Sequence, residues 1–212
     1  MKKIALLFFI LSLVFATSCS NAANKAANKT ANAEVKKGVA PVADPEIAVI
    51  EMENAGAYGT IKMELYSNIA PKMVARFKEL ANEGYYDGII FHRVNPSVIQ
   101  AGNSDTKPGK TLNPAKEGDS GKPNVDAEFS DILYDTGIVG AARTQDVNSA
   151  NSQFFITLKR EQGFDNKYTI FGKVIDGMNN VRTISGVPKN GEKPTEPVRI
   201  KHISIVPRDQ AK

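Results

Sequence analysis

The chain has 212 residues, of which 42% are hydrophobic and 24% are charged, and its formal net charge is +4. This length and composition are typical of a globular protein with enough apolar residues for one substantial core. The basic residues are scattered along the sequence rather than clustered, so the charge pattern argues against a nucleic-acid-binding protein.

The N-terminus has the features of an export signal. Lysines precede an apolar run at residues 4–15, which is too short to span a bilayer as a permanent helix. Small residues then lead into Cys19 and resemble a bacterial lipobox, in which Cys19 becomes the lipidated first residue of the mature protein. Ala16 stands where leucine is usual. The competing interpretation is an ordinary signal peptide cleaved after Ala22, which would remove Cys19.

The segment after Cys19 is predicted to be a flexible tether. Residues 19–45 are mostly Ala, Asn, Lys and Val, and such a segment cannot bury enough apolar surface to offset its ordering entropy. We therefore predict a signal peptide at residues 1–18, a tether at 19–45, a folded domain at 46–207 and a short tail at 208–212. Because Cys19 is the only cysteine, the domain can contain no disulfide or thiol nucleophile.

The folded region begins with strand signals. Apolar and polar residues alternate at 47–52 and again at 61–65, and a turn at 54–59 separates them, which predicts a hairpin with one buried face. Pro71 and Gly84 then bracket a helix whose apolar residues fall on one stripe.

Later elements are also short. Strands are predicted at residues 136–142, 153–158, 168–175 and 198–206, with a short helix at residues 177–184. In the last strand the apolar phase switches, which predicts a bulge or bend with His202 on the solvent-exposed face. Many short strands with only two helices indicate an antiparallel β-barrel or sandwich.

Two polar and aromatic segments are candidates for a binding site. Residues 91–103, FHRVNPSVIQAGN, are predicted to form two short strands joined by a turn, which would hold Arg93 near Gln100. In residues 151–156, NSQFFI, the period-two alternation places Gln153 and Phe155 on one face of a strand. The apolar side chains on either side of Phe155 then lie on the opposite face. The arginine guanidinium, the two glutamine amides and the phenylalanine ring can together bind a peptide.

These two motifs, followed by FGKV at residues 171–174, resemble those of the bacterial cyclophilin-type peptidyl-prolyl cis/trans isomerases. The resemblance covers roughly residues 46–207. It implies a closed eight-stranded antiparallel β-barrel with a helix over each mouth and a substrate groove on the outer wall. It also implies an enzyme that accelerates X-Pro isomerisation without a metal or cofactor and assists the folding of exported proteins. We expect a monomer that binds proline-containing polypeptides and, through Cys19, a membrane of the cell envelope.

The resemblance also implies roles for individual residues. Arg93 would be catalytic, because the nitrogen of a twisted prolyl amide regains a lone pair that can accept a hydrogen bond from its guanidinium. Isomerisation is slow because amide resonance must be broken, at a barrier of about 18–20 kcal/mol. The implied substrate-binding residues are Val98, Gln100, Ala142, Arg143, Gln153, Phe155, Phe164 and Tyr168.

The sequence departs from the family pattern in the turn of the first motif. The segment at residues 91–103 is one residue short, and the missing position is the aromatic that ordinarily follows the Pro-x turn. Asn95 and Ser97 also stand where apolar and small residues are common. These departures favour an alternative, a membrane-tethered proline-peptide binding module or holdase chaperone with weak or no turnover.

Overall fold

The computed structural model describes residues 33–111 and 119–210, so the predicted signal peptide and Cys19 lie outside the described residues. The strands and helices in chain order are β1 (Val35–Lys36), β2 (Glu46–Met52), α1 (Ala55–Tyr58), β3 (Thr60–Leu65), α2 (Pro71–Asn82), β4 (Arg93–Val94), β5 (Val98–Ala101), β6 (Phe129–Ser130), β7 (Ile138–Ala141), β8 (Phe154–Thr157), β9 (Ile170–Asp176), α3 (Met178–Ser185), β10 (Lys189–Asn190), β11 (Lys193–Pro194) and β12 (Ile200–Pro207).

Eight of these strands form one antiparallel sheet in the order β12-β2-β3-β9-β7-β8-β5-β4, which confirms the predicted strand number and direction. The two edge strands do not pair along a ladder. A single bridge, between Ile90 and Arg199, joins the chain before β4 to the residues before β12. The Phe91 amide also donates to the Val198 carbonyl at 2.9 Å. The barrel is thus closed at its seam by a few backbone contacts rather than by a full strand pair.

The two predicted helices cover the barrel, and their amphipathic stripes face its interior. Helix α2 buries Phe77, whose ring centroid lies 5.6 Å from that of Phe154 and 5.4 Å from that of Phe171. Helix α3 contacts both β3 and β5, which are four positions apart in the sheet, so it lies across one opening. In residues 33–111 and 119–210, no helix is both long and apolar enough to cross a bilayer.

One short helix was not predicted. Residues 54–59 were assigned to a turn, but α1 occupies most of that segment. The side chain of Asn54 accepts a hydrogen bond from the Ala57 amide at 3.2 Å, which caps the first turn. With only four residues, α1 has no apolar periodicity by which the sequence could indicate it.

The sheet separates two apolar clusters. Phe154 and Ile156 of β8 point into the main core, whereas Phe155 points outward, as the alternation predicts. The outward side chains form a second cluster, here called the outer cluster, which consists of Tyr66, Ile69, Val98, Tyr134, Ile138, Phe155 and Ile170. A single strand therefore supplies side chains to the core and to the outer wall.

The last strand contains the predicted irregularity. The register of β12 against β2 shifts between Ile200 and His202. The His202 side chain is 43% exposed, and its Nδ1 lies 2.9 Å from Oδ1 of Asp87. His202 is thus on the solvent-exposed face, where the phase switch predicted it.

The segment at residues 35–44, which was predicted to belong to the tether, lies along the domain. Strand β1 pairs in parallel with β6, and Asn68 exchanges two hydrogen bonds with the backbone of the segment. The Asp44 carboxylate accepts hydrogen bonds from Ser67 Oγ at 2.7 Å and from Lys78 Nζ at 2.8 Å. The composition concealed this attachment because it depends on hydrogen bonds rather than on large apolar side chains.

Candidate active site

Strand register places the central residues of the site in one row. Arg93 on β4 is paired with Gln100 on β5, Gln100 with Phe155 on β8, and Phe155 with Gly140 on β7. Because paired residues of neighbouring strands project to the same face of a sheet, the guanidinium, the amide and the ring lie side by side on the outer wall. The row brings together two segments that are far apart in the sequence.

A cavity of about 150 Å³ lies over this row. Eight of the nine binding or catalytic residues named from the sequence line it, namely Arg93, Val98, Gln100, Ala142, Arg143, Phe155, Phe164 and Tyr168. The ninth, Gln153, does not line the cavity but accepts a hydrogen bond from Gln100 Nε2 at 2.7 Å. Gln153 therefore restricts the orientation of the Gln100 side-chain amide.

Aromatic rings form the floor. The Phe155 side chain is buried, and its ring centroid lies 5.8 Å from Tyr134, 5.5 Å from Phe164 and 5.7 Å from Tyr168. A Cβ atom at Gly140 would collide with the Phe155 ring and the Tyr134 hydroxyl, so only glycine at this position allows the ring to lie against β7. The sequence did not identify Tyr134 or Gly140, although a glycine inside a strand is a recognised signal of close approach.

The loop that carries Phe164 is held by a charged contact. Asp165 accepts hydrogen bonds from the Tyr134 amide at 2.9 Å and from Nη1 of Arg160 at 3.0 Å. Partial burial alone would raise the pKa of Asp165, but these hydrogen bonds, led by that from Arg160, lower it below its usual value. Asp165 is therefore ionised at neutral pH. Its hydrogen bond from the Tyr134 amide connects the loop that carries Phe164 to a residue of the cavity floor.

The far wall is formed by a stacked cation. The guanidinium carbon of Arg143 lies 4.6 Å from the centroid of the Tyr168 ring, and its Nη2 donates to the Lys167 carbonyl at 2.9 Å. Ala142 is one of the substrate-binding residues implied by the family resemblance, which would use its main-chain groups. Its amide donates to the Gln153 carbonyl at 3.0 Å, so this N–H is already used within the sheet, and Ala142 lines the cavity with its other atoms.

Arg93 is held at the rim of the cavity by two neighbours. Its Nη1 donates to Gln100 Oε1 at 3.4 Å, and its Nε donates to Glu192 Oε2 at 2.5 Å. Glu192 follows Gly191 in the turn of the β10–β11 hairpin, which the sequence analysis missed. The two-residue loop is Gly191-Glu192, and glycine at the first loop position was the available signal, because it adopts the positive φ that such a tight hairpin requires.

Asn95 explains one departure of the turn from the family pattern. Its Oδ1 accepts hydrogen bonds from the amides of Ser97 at 2.9 Å and Val98 at 2.8 Å, which form the turn between β4 and β5. Its Nδ2 donates to Glu192 Oε1 at 2.7 Å. Hydrogen bonds from Arg93 and then Asn95 lower the pKa of Glu192, so this carboxylate is ionised at neutral pH.

This fold and wall cavity define a class of protein, and comparisons with known proteins identify it. The profile of the family described as cyclophilin type peptidyl-prolyl cis-trans isomerase/CLD matches residues 49–205. The chain therefore belongs to the cyclophilin-type peptidyl-prolyl cis-trans isomerases, which confirms the family and the enzymatic activity indicated by the motifs.

Relatives from several kingdoms support this membership. A probable peptidyl-prolyl cis-trans isomerase of Brucella suis is 40% identical over 167 residues, which cover 73% of this chain and 83% of the relative. The peptidyl-prolyl cis-trans isomerase ppi1 of Schizosaccharomyces pombe is 35% identical and covers 73% of this chain and 96% of its own. The crystal structure of a Cryptosporidium parvum cyclophilin type peptidyl-prolyl cis-trans isomerase in the presence of the dipeptide Ala-Pro is 30% identical, with a TM-score of 0.64. The match covers 75% of this chain and 98% of that chain.

Proposed function

We propose that Arg93 is the catalytic residue of this isomerase and that it acts on X-Pro bonds of exported proteins. When the amide twists, the prolyl nitrogen loses resonance and becomes a hydrogen-bond acceptor for the guanidinium of Arg93. A donor that binds the twisted amide better than the planar one lowers the barrier. The observation that carries this proposal is the row of Arg93, Gln100 and Phe155 over one cavity.

The rest of the cavity is suited to a proline and its neighbours. The buried Phe155 ring gives the pyrrolidine ring an apolar floor and excludes water that would stabilise the planar ground state. The Ala-Pro dipeptide in crystals of the Cryptosporidium parvum relative supports this class of ligand. The remaining substrate contacts are assigned to Val98, Gln100, Ala142, Arg143, Gln153, Phe164 and Tyr168, with Gln153 acting through Gln100.

Replacement of Arg93 tests the proposal. Arg93→Ala removes the donor to the prolyl nitrogen, so kcat/KM in a protease-coupled proline-peptide assay should fall by about 10²–10³-fold. Binding of the peptide, measured by calorimetry, should change much less because the Phe155 floor remains. Arg182→Ala is the matched control, since it removes an exposed arginine from α3 without touching the cavity.

Two results would change this assignment. If Arg93→Ala isomerises the peptide as fast as the unaltered protein, the catalytic role of Arg93 is wrong. If neither protein exceeds the uncatalysed rate while both bind the peptide, the chain acts as a proline-peptide binding module or holdase.

The export signal suggests where the enzyme acts. We propose that the chain is attached to a membrane of the bacterial cell envelope through a lipid at Cys19 and assists folding outside the cytoplasm. The support is the apolar run and the small residues before Cys19.

A further inference from the structure

Glu192 is the one acidic side chain among the described residues that bonds to Arg93. It belongs to a separate element, the β10–β11 hairpin, which is attached to β4 by a 2.7 Å hydrogen bond from the Val94 amide to the Glu192 carbonyl. The backbone of Glu192 is thus fixed one residue away from Arg93. In this position its carboxylate lies within hydrogen-bonding distance of the Arg93 side chain.

The carboxylate contacts both Arg93 and the turn that follows it. Oε2 of Glu192 accepts the hydrogen bond from Arg93 Nε at 2.5 Å, and Oε1 lies 3.5 Å from Nη2. Oε1 also accepts the 2.7 Å hydrogen bond from Asn95 Nδ2. Glu192 therefore binds the guanidinium with both oxygens and is itself held from the other side.

This contact decides the orientation of an otherwise mobile side chain. The side chains of Arg93 and Glu192 are 46% and 49% exposed, so packing alone does not immobilise the guanidinium. Of the five N–H groups of an arginine, the bonds to Glu192 and Gln100 use three. One N–H on each terminal nitrogen remains to donate elsewhere.

We propose that Glu192 is a positioning residue that holds the Arg93 guanidinium in the orientation that serves the twisted prolyl amide. The inference rests on the catalytic role proposed for Arg93. It adds a fourth residue to the Arg93–Gln100–Gln153 chain of hydrogen bonds, and this residue comes from a hairpin outside both sequence motifs. A planar guanidinium bound by a carboxylate on one edge is preorganised, so less rotamer freedom is lost when the substrate binds.

The opposite effect would follow if the carboxylate competed with the substrate. An ion pair that must break before Arg93 can reach the prolyl nitrogen would inhibit the enzyme. The geometry argues against this, because the carboxylate lies on the Nε–Nη2 edge of the guanidinium and one N–H on each terminal nitrogen stays available for the substrate. Removing Glu192 distinguishes the two effects by the direction of the change in rate.

The test compares Glu192→Ala and Glu192→Gln with the unaltered protein. Glu192→Ala should lower kcat about 10-fold and leave KM within about twofold, because the Phe155 floor is untouched. Glu192→Gln keeps the shape and one hydrogen-bond acceptor but removes the charge, so it should recover part of the rate. Glu196→Ala is the matched control, since Glu196 is an exposed carboxylate near the same hairpin.

A second measurement does not depend on activity. In the unaltered protein the Nε–H of Arg93 should give a distinct, slowly exchanging resonance in a ¹⁵N spectrum, identified by its loss in Arg93→Ala. Glu192→Ala should abolish the protection of this proton, whereas Glu196→Ala should leave it unchanged.

The outcomes separate the two proposals. Glu192→Ala with an unchanged or faster rate, while Arg93→Ala is inactive, would overturn the positioning role and leave the catalytic role of Arg93 intact. Arg93→Ala with full activity would overturn both roles. Protection of the Arg93 Nε–H that persists in Glu192→Ala would show that the carboxylate does not fix the guanidinium.

Discussion

Two tyrosines, both fully buried, differ in what their hydroxyl groups contact. Tyr86 donates to the Ser152 carbonyl at 3.1 Å. The Tyr134 hydroxyl, beneath the Phe155 ring, has no hydrogen-bond partner among the residues that the structure describes. Burial raises the pKa of both phenols well above the usual value, so both are neutral. A buried hydroxyl without a partner destabilises the folded state, whereas a bonded one is neutral or favourable.

Exchange of each tyrosine for phenylalanine tests this difference. Tyr134→Phe should raise the free energy of unfolding by about 1 kcal/mol, since it removes a desolvated hydroxyl and keeps the ring. Tyr86→Phe should lower it by about 1–2 kcal/mol, because the Ser152 carbonyl loses its donor. Urea denaturation measures both. Equal losses of stability in the two variants would contradict the assignment.

Among the residues of the site, Arg93 is held by more than one partner. Arg93 lies at the rim, where its side chain is 46% exposed, and only hydrogen bonds restrict its rotation. Gln100 belongs to the neighbouring strand and is part of the motif, so its role can be read from the sequence. Glu192 lies about a hundred residues away and is found only because the hairpin folds back onto β4.

Among the elements, the segment at residues 35–44 is attached by a cluster of charges. Asp44 is 10% exposed in its side chain and accepts hydrogen bonds from Lys78 on α2 and from Ser67. Burial alone would raise its pKa, but the hydrogen bonds from Lys78 and Ser67 outweigh burial and lower it. Because the pKa in the folded state is below the unfolded value, the contact contributes stability above pH 3.8 and loses it as the pH falls through the lowered value.

Asp44→Ala should therefore lower the free energy of unfolding by about 1–3 kcal/mol at pH 7, because it leaves the Ser67 amide without its acceptor and removes one of the two carboxylates that bind Lys78. The difference from the unaltered protein should shrink at pH 3, because below 3.8 the carboxylate takes up a proton in the unfolded chain more readily than in the folded protein. Urea denaturation at the two pH values provides the measurement. Asp209→Ala, which removes an exposed carboxylate in the last described residues, is the control. A variant as stable as the unaltered protein at pH 7 would show that the segment is not held by Asp44.

In the molecule as a whole, one face of the sheet packs the core and the other forms the cavity. The inward side chains of β8 pack the core with α2, and the outward ones form the floor of the cavity. The enzyme thus needs no separate domain for binding, and its working surface is as rigid as the barrel wall.

Attachment to a membrane is a prediction for the complete chain. Incorporation of labelled palmitate into the protein expressed in a bacterial host should be lost in Cys19→Ala and retained in Ser20→Ala. The protein should move from the membrane fraction to the soluble fraction with the same substitution. Mature protein that begins after Ala22 and carries no label would instead establish cleavage by an ordinary signal peptidase.

Sequence patterns alone predict the barrel strands and the two main helices, and the resemblance to the family indicates the residues that line the cavity. Period-two alternation distinguishes Phe154 from Phe155, and a short turn keeps Arg93 opposite Gln100, so both features follow from local spacing. Because these features depend on residues close together in the sequence, the family motifs are short and can be recognised without a structure.

The surroundings of those residues depend on contacts that form only when the chain folds. Glu192 reaches Arg93, Gly140 accommodates the Phe155 ring, and residues 35–44 lie on the domain through contacts between distant parts of the chain. The partners are a carboxylate, a missing Cβ and a set of polar hydrogen bonds, and none of these produces a periodic apolar pattern. Their effect comes from where the folded barrel places them, because their energies depend on distance and burial rather than on position in the sequence.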